Sequence, residues 1–320
     1  MSIRIYHDSP VEASWFLGLD TRLESAELEK IHSRGSNPPS IDELVVYDRP
    51  DIILEVDGQP VLVLEKSREV PTGHNVGQRF PRLVRAAEMG VPVIKFFPFD
   101  AMKHGEYAGK CHLNARLLKA FDRMTEIHDV PVLAVNWPCD DDWELIDDGS
   151  EDKLLSDLIS DFIDEGFDEW CDAFDAQLVR NEKELDRRLA KRSQYDLPPG
   201  SVEITDTSSV LREISHYFDG ASPNQLQSRP ETVVYEIGMS PANCRREDPY
   251  TGTQFIYDYN WCRTGASPDE KERNLILHFP KIERKTWYDK NPNDSTRKSQ
   301  CWYLTANAFK FKDGLDVIRE

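Results

Sequence analysis

The chain has 320 residues, about two domains' worth, with 58 acidic against 39 basic side chains and a formal charge of −19. That balance excludes a chain basic throughout, as a simple nucleic-acid coat would be. A hydrophobic content of 39% with 10% aromatics excludes global disorder.

The acidic excess is local. Residues 140–175 hold 16 acids and one base, Lys153, a charge of −15, while the other 42 acids and 38 bases leave −4. No apolar run approaches the roughly 20 residues that span a bilayer. The N-terminal Met-Ser-Ile-Arg-Ile-Tyr-His-Asp lacks the basic and then apolar order of a signal peptide. The expectation is a cytoplasmic protein with no membrane partner. Six cysteines (111, 139, 171, 244, 262 and 301) show neither a CxxC pair nor zinc-ligand spacing, which predicts buried free thiols rather than disulfides.

In chain order, residues 11–33 place apolar side chains at mixed three- and four-residue intervals, which predicts an amphipathic helix ended by Gly35 and two prolines. Short β-rich runs follow at 43–47, 51–56 and 61–64, with Asp57-Gly58-Gln59 as a hairpin turn. Residues 77–89 return to helical spacing, with Pro81 expected in the first turn and Gly90 closing the helix. A buried strand at 91–97, a helix at 113–125 and a strand at 130–136 complete the order α, β, β, β, α, β, α, β. This order predicts an α/β (α+β) mixed sheet of about five strands flanked by helices. No Gly-rich phosphate loop follows any strand, which counts against a nucleotide-binding fold.

The acidic segment becomes helical near Glu151, with a stripe of Leu154, Leu155, Leu158, Ile159, Phe162 and Ile163, and residues 182–192 alternate in sign as a solvated helical face does. Leu197-Pro198-Pro199-Gly200 marks a boundary, after which strands are expected at 232–237, 253–261, 274–279 and 302–305. Three parts are predicted: a core at 1–138, an acidic helical linker or subdomain at 139–197, and a β-rich C-terminal domain at 198–320.

The informative stretch is Arg49-Pro50-Asp51 through Asp57-Gly58-Gln59 to Glu65-Lys66-Ser67. A three-residue turn pairs Val56 with Pro60 and sets Asp51 directly across from Glu65, on one face, with Cβ atoms about 5 Å apart. Two carboxylates so close repel unless neutralised, and Mg²⁺ accepts one or two carboxylates together with water and phosphate oxygens. A one-residue change in the loop would set them on opposite faces.

Pro50-Asp51, the spacing to Glu65 and the element order over residues 11–138 resemble the PD-(D/E)XK nuclease superfamily, which includes many type II restriction endonucleases. The resemblance implies a restriction-endonuclease-like fold and Mg²⁺ held by Asp51 and Glu65. It also implies a lysine two residues after the second acid that positions the attacking water. Position 67 is Ser, however, and the lysine is Lys66, one residue early. Lys66 then reaches the site through a bulge, or another base such as Lys95 substitutes, or Ser67 holds the water alone. Gln78 matches in type a glutamine that some branches use near metal-bound water, and Arg79 and Arg82 are candidate phosphate ligands. Glu12 and His74 are weaker candidates, with surface and loop roles favoured.

In the C-terminal part, residues 281–312 carry eight bases and three acids, interleaved with six aromatic residues that include Trp287, Phe309 and Phe311. Such a patch suits a nucleic-acid face, with Lys285, Lys290, Arg297 and Lys298 as candidate DNA ligands; an ordinary domain surface over an aromatic core is the competing reading. Glu247-Asp248-Pro249 is favoured as a hairpin turn over a second acidic site. The function implied is Mg²⁺-dependent cleavage of double-stranded DNA by a restriction-type endonuclease, a homodimer if its target is palindromic. The alternatives are a less specific repair or antiviral nuclease and a non-catalytic DNA- or partner-binding protein on a nuclease scaffold.

Overall fold

The computed structural model describes residues 1–71, 74–105, 108–113, 115–191, 201–217, 226, 229–242, 244, 274–289 and 306–318. They form two compact units. Residues 1–72 and 82–194 make the first, and residues 73–81 and 195–320 the second. The acidic segment falls within the first unit. Both units are mixed α/β. Among the described residues no helix is long and apolar enough to cross a membrane.

The first unit is built on a six-stranded sheet in the order β2-β1-β3-β4-β5-β8. Its strands are β1 (Ile3–His7), β2 (Glu27–Lys30), β3 (Ile52–Val56), β4 (Gln59–Lys66), β5 (Val93–Phe97) and β8 (Val132–Asn136), with a separate hairpin of β6 (Asp100–Lys103) and β7 (Gly109–His112). β1–β3 and β3–β4 pair antiparallel, and β1–β2, β4–β5 and β5–β8 pair parallel.

The expected helix at 11–33 is a short one, α1 (Pro10–Leu17), followed by a 3-10 turn at Thr21–Leu23 and by β2. Ser9 caps its start and Gly18 its end, and the Asp20 side chain accepts from the Arg22 N–H, so local caps override the longer periodicity. The expected strand at 43–47 is absent. Pro39 in the first turn starts a helix, α2 (Pro39–Leu44), that buries Ile41 and Leu44 one turn apart.

Helix α3 (His74–Glu88) begins three residues before the expected start, so Pro81 lies in its interior and removes one bond of the ladder. Helices α4 (Ala115–His128), α5 (Lys153–Asp164) and α6 (Asp172–Lys191) follow. Leu155, Leu158, Ile159, Phe162 and Ile163 of α5 pack with Ile5, Phe16, Leu54, Leu64, Ile94 and Phe96 in one buried cluster. By the two-residue pleat, Ile53, Val63, Glu65, Lys95 and Phe97 point to the other face. In α6, the Gln177 amide donates to the Ala134 carbonyl at 2.7 Å, satisfying a backbone group of β8, the last strand of the sheet.

Among the described residues, the second unit holds a five-stranded sheet in the order β13-β12-β11-β10-β9. It comprises β9 (Ser201–Asp206), β10 (Glu231–Glu236), β11 (Asn274–Phe279), β12 (Ala308–Phe311) and β13 (Gly314–Val317), with helices α7 (Thr207–Ile214) and α8 (Arg284–Asp289). The three central strands run parallel and the two outer ones antiparallel to their neighbours. The strands expected at 253–261 and 302–305 lie outside the described residues.

Candidate active site

The site rests on the β3–β4 hairpin. Its turn has two residues and not three. Val56 pairs with Gln59, and Asp57 and Gly58 both take left-handed backbone angles, φ 49° and 85°. Those angles are the ones that a tight right-twisted hairpin requires. Alone, the shorter turn would set Asp51 and Glu65 on opposite faces. A bulge corrects it: Glu55 pairs with Pro60 but Leu54 with Leu62, leaving Val61 without a partner. Ile52 then pairs with Leu64, and the next position outward sets Asp51 across from Glu65.

Both carboxylates are buried, with Glu65 at 0% and Asp51 at 6% exposure. Asp51 Oδ2 accepts from the Lys66 backbone N–H at 2.7 Å, which ties the start of β3 to the end of β4. Arg82, from α3, reaches in from the side. Its Nη1 donates to Glu65 Oε2 at 2.9 Å and lies 3.7 Å from Asp51 Oδ1, while Nη2 pairs with Asp48. Burial works against the Arg82 charge, but Glu65, Asp48 and Asp51 more than offset it and hold the guanidinium firmly protonated. Lys95 of β5 stands beside Glu65 in the parallel register, 1% exposed, with its ammonium 5.4 Å from the Phe97 ring centroid.

Lys66 does not join this group. Its ammonium lies 3.6 Å from the Trp15 ring centroid and 4.6 Å from that of Trp137, on the sheet face opposite Glu65. Burial draws its pKa down, against the opposing pull of Asp152 and Glu12. Of the three alternatives for the basic residue, the one that brings Lys66 to the acids through a bulge is not realised: the bulge lies at Val61, before Glu65, so regular alternation resumes and carries Lys66 to the far side. Ser67 donates its N–H to the Phe96 carbonyl at 2.9 Å and its hydroxyl to the Glu69 carbonyl at 3.3 Å, turning toward its own loop.

Arg82, expected as an outward phosphate ligand, faces the carboxylates. Neither its inward role nor that of Asp48 was read from the sequence. The available signal was Arg82's position beside Leu83 on the apolar flank of a helix that follows two acids. Arg79 is half-buried and falls in the second unit. The side chain of Gln78 lies outside the described residues, as do Lys290, Arg297 and Lys298.

Comparison with family models, with curated proteins and with solved structures finds no match. Among the described residues no group of three or more His, Cys, Asp or Glu side chains is arranged to hold a metal ion. Two hard carboxylates on one face are nonetheless a donor set that suits Mg²⁺ completed by water and phosphate oxygens. The Arg82 guanidinium already stands at those oxygens as a cation, which is where such an ion would be drawn.

The basic C-terminal patch resolves differently. Trp287, Phe309 and Phe311 are buried with Phe279, the Phe279 and Trp287 centroids 4.7 Å apart, so these aromatics form core and do not stack on bases. The bases around them are partnered: Lys285 with Asp289, Arg284 with Asp316, Lys310 with Glu213, and Lys312 with Glu283. Asp316 and Glu213, which lie outside residues 281–312, offset two of these positive charges.

Proposed function

We propose that the Asp51–Glu65 face is the hydrolytic site of a Mg²⁺-dependent endonuclease of the PD-(D/E)XK kind, cutting double-stranded DNA in the manner of a type II restriction enzyme. The observation that carries this reading is the convergence of Asp51, Glu65 and Lys95 on one sheet face, restored by a bulge where the short turn alone would have separated them.

Asp51 and Glu65 would hold the ion. When bound, Mg²⁺ supplies Lewis-acid charge and lowers the pKa of water. The chain's own groups do the rest. Lys95 takes the place of the lysine absent from position 67 and donates hydrogen bonds that orient the attacking water or a phosphate oxygen. In-line attack then breaks the P–O3′ bond. The Asp51 contact to the Lys66 N–H fixes its carboxylate so that little reorganisation is needed. DNA would be held by the second unit, where Lys285 on α8 is exposed although paired with Asp289 one turn on, and a palindromic target would call for a homodimer.

The position of Arg82 favours a second reading, in which the scaffold binds DNA or a partner without cutting, because the guanidinium already neutralises the acids. A digest of defined plasmid DNA with and without Mg²⁺, followed by end sequencing, tests the two. Discrete Mg²⁺-dependent ends support restriction, a smear supports a nuclease of low specificity, and intact plasmid overturns the hydrolytic reading.

A further inference from the structure

The same cluster carries a statement about how the site is switched on. We propose that Arg82 is a resident counter-cation of the Asp51–Glu65 pair, that a divalent ion binds by displacing it, and that the displaced guanidinium takes a DNA phosphate, so that metal and DNA bind cooperatively. This inference rests on the metal-site reading above.

Charge balance comes first. Asp48, Asp51 and Glu65 contribute three negative charges, and Arg82 and Lys95 two positive ones, so the cluster stands at −1. Ion and guanidinium seated together would bring it to +1 in a buried setting, where unbalanced charge is costly. An ion that takes the place of Arg82 instead leaves the three carboxylates, Lys95 and the ion at zero. The displaced guanidinium carries the remaining +1, which one phosphodiester charge neutralises.

Geometry gives the same order of events. Arg82 Nη1 lies at 2.9 Å from Glu65 Oε2 and 3.7 Å from Asp51 Oδ1, so guanidinium and ion compete for the same carboxylates and repel each other if both are seated. The Arg82 Nε is buried and has no hydrogen-bond partner, so the present seat leaves part of the fork unused. A phosphate offers two oxygens that match that fork. Linkage then makes the coupling reciprocal: DNA raises metal affinity by the factor by which metal raises DNA affinity.

The test is direct metal binding, independent of turnover. The full chain is titrated with Mn²⁺, an ion of similar oxygen preference, and free Mn²⁺ is read by electron paramagnetic resonance. Wild type, Arg82→Lys, Arg82→Met and Glu65→Gln are compared with and without a short DNA duplex, the duplex's own binding being subtracted. Arg82→Met should bind Mn²⁺ about tenfold more tightly than wild type without DNA, and DNA should tighten wild type about tenfold but leave Arg82→Met nearly unchanged. Arg82→Met removes a buried charge and can fail to fold. Arg82→Lys keeps the charge but cannot bridge Glu65 and Asp48 together, and it should bind about fivefold more tightly than wild type.

If binding is sensitive to Glu65→Gln but no Arg82 variant binds more tightly than wild type, the counter-cation role is wrong and the metal site stands. If Mn²⁺ binding is unaffected by Glu65→Gln, the metal-site reading fails and takes this inference with it.

Discussion

Glu65 and Lys95 lie side by side on adjacent parallel strands, both buried, on the sheet face that also carries Asp51. Lys66, the next residue along β4, points the other way into a stack of Trp15, Phe96 and Trp137. The two lysines should therefore separate cleanly in a cleavage assay. Lys95→Met should lower the initial rate of plasmid nicking by about a hundredfold or more. Lys66→Met should leave it within a few-fold. Circular dichroism of both variants checks that folding is retained, and a reversed ranking would assign the catalytic role to Lys66.

The hairpin turn sets the register of everything beyond it. Gly58 has φ 85° with open space around its Cα, so a side chain there is strained by the backbone and not by a clash. Gly58→Val should destabilise the protein by about 1–2 kcal/mol, read as a lower urea midpoint at unchanged slope. Gly58→Asn, which tolerates the left-handed region, should lose much less.

Asp20 contributes to the acid limb of stability. A hydrogen bond from the Arg22 side chain holds its carboxyl well below the usual carboxylate range, with Ser160 of α5 adding a second donor at 2.6 Å. Because the folded value is depressed, the stabilisation is complete above the unfolded pKa of about 4 and is lost as pH falls toward the folded value. Wild type should thus lose urea resistance more steeply below about pH 4 than Asp20→Asn does. Parallel curves for the two proteins would remove Asp20 as a source of that slope.

Trp287 sits 1% exposed among Phe279, Phe309 and Phe311. Trp287→Ala should cost about 3–5 kcal/mol of stability, as truncating a buried aromatic does. Trp287→Phe keeps an aromatic filling in the core, so it should bind DNA like wild type. Loss of DNA affinity in a folded Trp287→Phe protein would instead assign the indole to base stacking.

The pattern of what was legible follows from range of interaction. Strands β3, β4, β5 and β8 and helix α4 announce themselves through local periodicity, and Asp51 and Glu65 through spacing around a turn signal. Their facing was reached from the sequence by assuming a three-residue loop, whereas the chain achieves it with a two-residue turn and a bulge at Val61. Nothing in the apolar run Val61-Leu62-Val63-Leu64 marks which residue will be left unpaired. The alternation Ile3-Arg4-Ile5-Tyr6 carries the local signal for β1. Residues 43–47 look β-prone, yet Pro39 and the burial of Leu44 make their beginning the end of a helix. Least legible was charge pairing. Arg82 reads as an outward-facing phosphate ligand, and only the fold brings it to Asp48, Asp51 and Glu65. The same holds for the C-terminal bases, whose partners Asp316 and Glu213 lie far away in sequence.

The central claim is that Asp51 and Glu65 form one hydrolytic site, and the most direct measurement is Mg²⁺-dependent cleavage of plasmid DNA by Asp51→Ala and Glu65→Ala, with DNA binding followed in parallel. Each variant should lose cleavage and, without a divalent ion, still bind DNA with an affinity near that of wild type. Undiminished cutting by both variants would contradict the assignment.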